Sequence, residues 1–483
     1  MGLLGILLGL AVMLGLSFRG WSVLILAPLA AMVAALFSGE PLLAHWTQTF
    51  MGATGGFLAQ FFPLFLLGAI FGKLMEDSGS VNVIADFMTE KLGTKRAILA
   101  VVLAGTMVTY GGVSLFVAFF VIVPMAQGLF RAANIPNRLV PAAVMLGTAT
   151  FTMSAMPGTP AVQNAIPMPF FGTTPFAAPG LGLIASAIMF GFGMWWLLRA
   201  QKLAKASGEG FGIMAGDVEV AAEDPVVRER ATTAGAFDPA EIKHGSDSLH
   251  PPSVAAAILP LLVVVVVNML MSFVVLPRMD TSFLTKPEWG GVSLAAVSGL
   301  WSVIVALIAA ILVLVALNRA RLTTLRETLS AGANASVLPI VSVASLVGFG
   351  AVVAALPAFV KVAEWVLSID GGPLVSLAVS TNVLSALTGS ASGGMTIALE
   401  ALGPIYLQIA AIEGIDPALL HRIAVIGAGT LDSLPHNGAV ITLLTLCGCT
   451  HRQSYKDIVM CAVVGALVAL IAVIILGGMF GSF

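Results

Sequence analysis

Long apolar stretches recur along the whole chain, and they constrain its fold more than any other feature. The 483 residues are 58% hydrophobic and only 10% charged, and the mean hydropathy is +1.02. About 20 consecutive apolar residues are needed for a helix to cross a bilayer. We therefore predict an all-α polytopic membrane protein whose partner is the lipid bilayer and which binds no nucleic acid. The predicted spans are residues 3–17, 20–38, 49–75, 137–170, 180–200, 253–276, 290–317, 335–357, 418–447 and 457–480.

Two further apolar stretches, residues 95–133 and 372–412, carry a Gly/Ser/Thr cluster at their centre. Each fits two spans, one span or a re-entrant hairpin with the cluster at its tip. Basic residues collect on the cytoplasmic side of a membrane. Hairpins place most Lys and Arg on one side and both termini outside the cytoplasm, although Arg278, Lys286, Lys361 and Arg422 stay on the opposite side. We predict hairpins.

The two halves of the chain share a pattern that begins at Gly111 and again at Gly393. In both, Gly-Gly precedes an apolar arm, a Pro-containing turn, a span with Gly-Thr and a Ser/Pro break. Inverted repeats with broken helices are typical of secondary transporters. We predict that residues 1–200 and 253–483 are inverted repeats, each with about five spans, one hairpin and one broken helix (137–170 and 418–447). Residues 201–252 are hydrophilic and predict a cytoplasmic linker.

Four polar segments fall at membrane depth: "TYGGVS", "SAMPGTPAVQN", "TGSASGGMT" and "LDSLPHNGA". Irregular backbone survives there only where protein or a polar cavity satisfies it, and helix N-termini that follow Gly112 and Gly394 would favour an anion. The alternative is that the small residues serve only close helix packing. The predicted substrate-binding residues are Gly111, Gly112, Ser114, Ser154, Gly158, Thr159, Gln163, Asn164, Ser390, Ser392, Gly393, Gly394, Thr396 and Asn437.

These segments contain no Lys or Arg, which favours a small anion with one carboxylate and hydroxyl groups. Asp432, His436 and Glu400 are ionisable residues at membrane depth, and such residues are candidates for proton coupling. Each also has a structural interpretation. Asp432 can cap a helix, Glu400 can lie at an interface, and His436 can be a hydrogen-bonded structural histidine.

From about residue 61 to 172, and again from 335 to 440, the chain resembles the gluconate:proton symporter (GntP) family of bacterial permeases. The resemblance rests on "FPLFLLGAIFGKLMEDSGSVNVIADFMTEKLGTKRA", "NIPNRLVP", "PGTPAVQNA" and "LTGSASGGMTIA". It implies the ion-transporter superfamily fold, a dimerising scaffold and a mobile elevator-type transport domain.

Sugar-acid members of that family differ from this chain in the first hairpin and in both breaks, where the chain reads "TYGGVSLFV", "MPGTPAV" and "DSLPHNGA". The pattern is more similar to the branch that includes D-3-hydroxybutyrate permeases.

We predict a homodimeric symporter of a bacterial inner membrane that imports a small hydroxy-monocarboxylate with H⁺ and requires no cofactor. Alternatives within the class are Na⁺ coupling through tip hydroxyls and carbonyls, or a sugar acid such as gluconate as substrate. A channel is a further alternative. No catalytic constellation, metal-ligand spacing or phosphate loop indicates an enzyme.

Overall fold

A computed structural model describes residues 2–17, 21–212, 251–435 and 437–483. These residues form helices and turns and contain no strand. The helices of the first half are α1 (Gly2–Ser17), α2 (Val23–Ser38), α3 (Met51–Asp77), α4 (Ser80–Leu92), α5 (Ala97–Tyr110), α6 (Leu115–Ala132), α7 (Val140–Thr148), α8 (Phe151–Ser154), α9 (Val162–Ala165), α10 (Pro167–Phe171) and α11 (Pro179–Ala206). Those of the second half are α12 (Val254–Leu270), α13 (Leu294–Asn318), α14 (Leu325–Ala355), α15 (Phe359–Leu367), α16 (Gly372–Thr388), α17 (Ala391–Glu413), α18 (Pro417–Thr430), α19 (Gly438–Leu446), α20 (His451–Ile458) and α21 (Gly465–Phe480).

Within the described part of the chain, seven helices are long and apolar enough to cross a membrane. Continuous helix is possible there because each backbone N–H finds a carbonyl four residues back, away from water. The all-helical, multi-pass prediction is confirmed. These helices, including the π-helical turns that extend three of them, are Leu42–Asp77, Pro179–Ala206, Val254–Arg278, Leu294–Asn318, Leu325–Ala355, Ala391–Glu413 and His451–Phe480.

Both stretches predicted as hairpins consist of two helices joined by a short turn. In the first, α5 and α6 are joined by residues 111–114; in the second, α16 and α17 are joined by Gly389 and Ser390. Helix α5 has 14 residues, about 21 Å at the usual helical rise, so it is too short to cross the hydrocarbon core. The preceding helix α4, which the sequence analysis missed, meets α5 at a bend of 99°.

Both spans predicted as broken helices are interrupted. Residues 137–170 divide into α7, α8, α9 and α10, with non-helical backbone at 155–161. Residues 418–447 divide into α18 and α19, separated by residues 431–437. The structure therefore contains two hairpin tips and two breaks, here named tip 1 (109–114), break 1 (154–164), tip 2 (388–396) and break 2 (431–437).

Helices α3 and α14 pack closely against each other, and they form the wall on which tip 1 and break 1 lie. Near one end a buried ion pair joins Lys73 Nζ to Asp77 Oδ1 at 2.8 Å, and Thr328 of α14 donates a hydrogen bond to the same carboxylate. An ion pair that loses one partner in a buried site is strongly destabilised. The hydrogen bond from Thr328 therefore connects α14 to the ion pair within α3.

The predicted linker begins later than expected. Helix α11 continues to Ala206, and Phe211 is buried, with its N–H donating to Asn134 Oδ1 at 3.1 Å. Residues 213–250 lie outside the described residues. The division of the chain into inverted repeats stays a prediction.

Candidate functional site

A cavity of about 100 Å³ lies between tip 1, break 1 and the two long helices α3 and α14. It has room for several water molecules or one small ligand. Most of its lining is apolar, with a few polar groups among them, as is usual for small-molecule sites. The lining residues are Leu64, Phe65, Gly68, Ala69, Thr109, Gly112, Val113, Ser114, Leu115, Met153, Pro160, Ala161, Val162, Gln163, Ala335, Ser336 and Pro339.

Tip 1 turns sharply because Gly112 has φ +97°, a conformation that disfavours any residue with a Cβ. A Cβ built at Gly112 would also lie 2.8 Å from Pro160 Cγ, so the tip and the break touch here. A second contact joins them, because Tyr110 Oη donates a hydrogen bond to the carbonyl of Pro157 at 2.9 Å. Tip 1 and break 1 are thus held together as one unit.

Two polar atoms of this unit are buried without a hydrogen-bond partner, Ser114 Oγ and Gln163 Oε1. Both side chains line the cavity. A buried polar atom left without a partner costs about 1–3 kcal/mol. Native proteins seldom carry that cost without a reason, and these two atoms are therefore candidate contacts for a ligand in the cavity.

Tip 2 has the same kinds of residues, but they bond to each other. Ser390 Oγ caps α17 by accepting from Gly393 N–H at 3.1 Å and lies 3.2 Å from Ser392 Oγ. Thr396 Oγ1 donates to the Ser392 carbonyl. Asn437 of break 2 caps α19 by accepting from Ala439 N–H at 2.7 Å, and its Nδ2 donates to Gly389 O at 2.8 Å.

The tip 2 glycines permit close helix packing. A Cβ built at Gly394 would lie 2.2 Å from Ser385 N, so α16 and α17 are in backbone contact there. Gly393 packs closely against the side chain of Leu346, and Gly111 of tip 1 packs closely against the side chain of Leu261. These three positions fit the packing alternative given above.

The other predicted residues of break 1 do not line the cavity but form hydrogen bonds within break 1 and with its neighbours. Ser154 Oγ donates to Thr150 O, Thr159 Oγ1 accepts from Ala161 N–H, and Asn268 Nδ2 donates to Gly158 O. Asn164 Nδ2 donates to the carbonyls of Thr159 and Pro175, both at 3.0 Å.

The structure therefore brings Gly112, Ser114 and Gln163 to one cavity, with Thr159 and Asn164 behind them. It does not bring the predicted tip 2 and break 2 residues to this cavity, because those residues are engaged with each other. Break 1 instead contacts the helix that precedes break 2, where Gly429 of α18 lies against Ser154.

Two of the predicted proton-coupling residues, Asp432 and Glu400, are not among the residues that line this cavity. Asp432, in break 2, is half-buried, and its Oδ1 accepts from Ser433 Oγ at 3.1 Å. Glu400 is half-buried on α17 and has no hydrogen bond or ion pair with any described residue. His436 lies outside the described residues.

Sequence reasoning missed the buried pair His421 and Arg422 on α18. Both are fully buried, and both contact Asn164 Oδ1, at 3.2 Å and 3.4 Å. A signal was present, since adjacent ionisable residues in an apolar helix are functional candidates. Among the described residues no three His, Cys, Asp or Glu side chains are placed to hold a metal ion.

Membrane-length helices, two interrupted helices and a cavity with a few polar groups in an apolar lining together define a multi-pass α-helical membrane transporter. The comparisons with known proteins agree with this class. The chain is similar in structure to MtrF of Neisseria gonorrhoeae, a member of a class of antimetabolite efflux pumps. The TM-score is 0.55 at 14% identity, and the match covers 90% of this chain and 84% of MtrF. At that identity the likeness concerns the fold alone.

The chain belongs to the GntP family of permeases. The model of the GntP family permease matches residues 1–172. The uncharacterized transporter YxjC of Bacillus subtilis (strain 168) is 40% identical over 488 residues, which cover 99% of this chain and all of that protein. The high-affinity gluconate transporter of Escherichia coli (strain K12) is 31% identical over 164 residues, 33% of this chain and 35% of the transporter. The low-affinity gluconate transporter of the same strain is 34% identical over 175 residues, 35% of this chain and 32% of the transporter.

Proposed function

We propose that this protein is a secondary transporter that imports a small hydroxy-monocarboxylate, such as 3-hydroxybutyrate, together with protons across a bacterial inner membrane. The observation that carries the proposal is the cavity in which Ser114 Oγ and Gln163 Oε1 are buried without partners. A hydroxy acid offers groups that satisfy both. Its hydroxyl can donate to Gln163 Oε1, and its carboxylate can accept from Ser114 Oγ.

The size of the cavity supports a short acid. At about 100 Å³ it has room for a four-carbon hydroxy acid. Gluconate transport by partial relatives keeps a sugar acid as the second candidate substrate.

We further propose an elevator mechanism in a homodimer. Tip 1 and break 1 would move with the substrate as part of the transport domain, along the wall formed by α3 and α14. Proton coupling is assigned to Asp432, Glu400 and His436, and Na⁺ coupling is the alternative. No cofactor is needed for either mechanism.

The first experiment measures uptake of radiolabelled D-3-hydroxybutyrate into proteoliposomes, with an inward proton gradient and an inward sodium gradient imposed separately. Accumulation driven by the proton gradient alone is expected. Accumulation that requires sodium would assign the coupling to Na⁺. No uptake under either gradient, by protein shown to be folded, would exclude this substrate, and labelled gluconate would be tested next.

Asp432→Asn separates coupling from binding. If Asp432 carries the proton, this variant loses accumulation against a gradient but keeps exchange of labelled for unlabelled substrate. Ser186→Ala is a matched control, because the Ser186 hydroxyl is satisfied by the Gly182 carbonyl at 2.8 Å within α11. Unchanged proton-driven accumulation in Asp432→Asn would exclude Asp432 as the coupling residue.

A further inference from the structure

Arg422 is the largest fully buried side chain among the described residues. It lies in the second turn of α18, near the helix end where the backbone dipole is already positive. Its Nε and Nη2 atoms donate to the carbonyl of Ala177 at 3.0 Å and 2.6 Å, and its Nη1 donates to Asn164 Oδ1. A guanidinium remains charged in proteins, so this is a permanent cation inside the molecule.

No carboxylate side chain among the described residues forms an ion pair with Arg422, whose hydrogen-bond acceptors are neutral. Asp416, the acid that caps α18, is engaged at the surface with Ala418 N–H and Ser482. Buried charges are normally paired, because desolvation of a lone ion is costly. An anion bound nearby would balance the charge of Arg422.

The network around Arg422 reaches the wall of the cavity. Asn164 Oδ1 accepts one hydrogen bond from Arg422 and is 3.2 Å from His421 Nε2, and Asn164 Nδ2 donates to the Thr159 carbonyl. His421 is itself fixed by Thr173, whose Oγ1 is 2.6 Å from His421 Nδ1. Residues 160–163, between Thr159 and Asn164, line the cavity. The cation therefore lies behind the wall that carries Gln163.

We propose that Arg422 is a specificity-determining positioning residue for the transported anion. Through Asn164 it holds the wall formed by residues 159–164, and its unbalanced positive charge makes the cavity prefer a carboxylate over the corresponding neutral amide. This inference rests on the proposed function, because it names the charge that would select a monocarboxylate at that site.

The test compares two inhibitors of 3-hydroxybutyrate uptake in proteoliposomes, unlabelled 3-hydroxybutyrate and its primary amide. The two have nearly the same shape and differ in charge. The variants are Arg422→Gln, which removes the charge, and Arg422→Lys, which keeps it but cannot reproduce the planar fork that bonds Ala177 O. Arg278→Gln is the control, because Arg278 is an exposed arginine.

Wild-type protein and Arg278→Gln are expected to prefer the acid over the amide by about tenfold or more, since opposite charge separates the two ligands. Arg422→Lys should bind both more weakly but keep the preference. Arg422→Gln should reduce the preference to about threefold or less, with the loss mainly in the affinity for the acid. Equal weakening of acid and amide in Arg422→Gln would mean a merely structural role and would overturn the proposal.

A second variant covers the case in which Arg422→Gln does not fold. His421→Glu places a carboxylate in the same cluster and neutralises the charge while Arg422 stays in place, so it should also lose the preference for the acid. A folded His421→Glu variant that keeps the full preference overturns the inference. Wild-type protein that takes up no monocarboxylate overturns the proposed function itself, an outcome distinct from wild-type uptake with an unaltered preference in the variants.

Discussion

Tip 1 and tip 2 are built from the same kinds of residues, yet they use them differently. In tip 2 the hydroxyls of Ser390, Ser392 and Thr396 bond within the tip, and Asn437 joins the tip to break 2. In tip 1, Ser114 precedes α6 without capping it, and its hydroxyl is buried without a partner. The comparison shows two uses of a Gly/Ser cluster. Its hydroxyls can form hydrogen bonds within the tip, or a hydroxyl can be left without a partner and remain available to a ligand.

The same difference appears at the two breaks. Asn437 both caps the helix that follows break 2 and bonds to tip 2. Break 1 is joined to its tip by the hydroxyl of Tyr110, which donates to the Pro157 carbonyl, and Gln163 Oε1 of the same break is buried at the cavity without a partner. We infer that the Ser390, Ser392, Thr396 and Asn437 side chains stabilise the fold, and that tip 1 and break 1 form the candidate substrate site.

The largest expected effect concerns the backbone contact in tip 2. Gly394→Ala forces a methyl group to within 2.2 Å of Ser385 N, so α16 and α17 must separate. We expect a loss of stability of about 3 kcal/mol or more, or no folded protein. The measurement is the yield of monodisperse protein in detergent and its Tm. Gly128→Ala in α6 is the matched control, because a Cβ there meets nothing within 4 Å.

The next effect concerns the link between tip 2 and break 2. Asn437→Ala removes the cap of α19 and the bond to Gly389 O, and it leaves that buried carbonyl without this donor. We expect a loss of about 2–3 kcal/mol, measured as a lower Tm. Unchanged stability would contradict a structural role for the second pair.

A pair of serine variants tests the comparison directly. Ser114→Ala removes a hydroxyl that has no partner, so stability should change by less than about 0.5 kcal/mol, while the KM for uptake rises by about fivefold to tenfold. Ser390→Ala removes the cap of α17 and should lower stability by about 1 kcal/mol, with a smaller change in KM. The opposite outcome, with Ser390 affecting KM and Ser114 affecting stability, would reverse the roles assigned to the two tips.

The smallest expected effect on stability concerns Glu209, just beyond the end of α11 and outside both tips. Hydrogen bonds from Arg138, at 2.7 Å and 3.0 Å, lower the pKa of Glu209 below its ordinary value. The ion pair therefore stabilises the fold above the pKa of the unfolded chain, about 4.3, and is lost as the pH falls through the lower pKa of the folded state.

Because this pair is partly exposed, Glu209→Gln should lower stability by no more than about 1 kcal/mol at pH 7. The difference from wild type should shrink as the pH falls below about 4, which Tm measurements across pH would show. A difference that persists at low pH would mean that Glu209 acts through packing rather than charge.

Length and hydropathy by themselves determined the class of this protein. Apolar stretches of membrane length in a chain with few charges predicted an all-helical membrane protein. Gly, Ser and Pro inside those stretches predicted the two turns and two breaks where the structure has them. These are local properties, since they depend on backbone hydrogen bonding and on the apolar solvent.

The role of each polar side chain was decided only by the tertiary structure. Ser114 and Ser390 precede helices in similar contexts, and only the positions of neighbouring groups decide that one hydroxyl is bonded and the other is not. Arg422 shows the same limit. The predicted topology left Arg422 among the basic residues opposite the cytoplasmic side, and only the tertiary structure shows that packing against Ala177 and Asn164 buries it completely. Partners distant in sequence determine whether a buried polar atom is satisfied, and the fold alone brings those partners together.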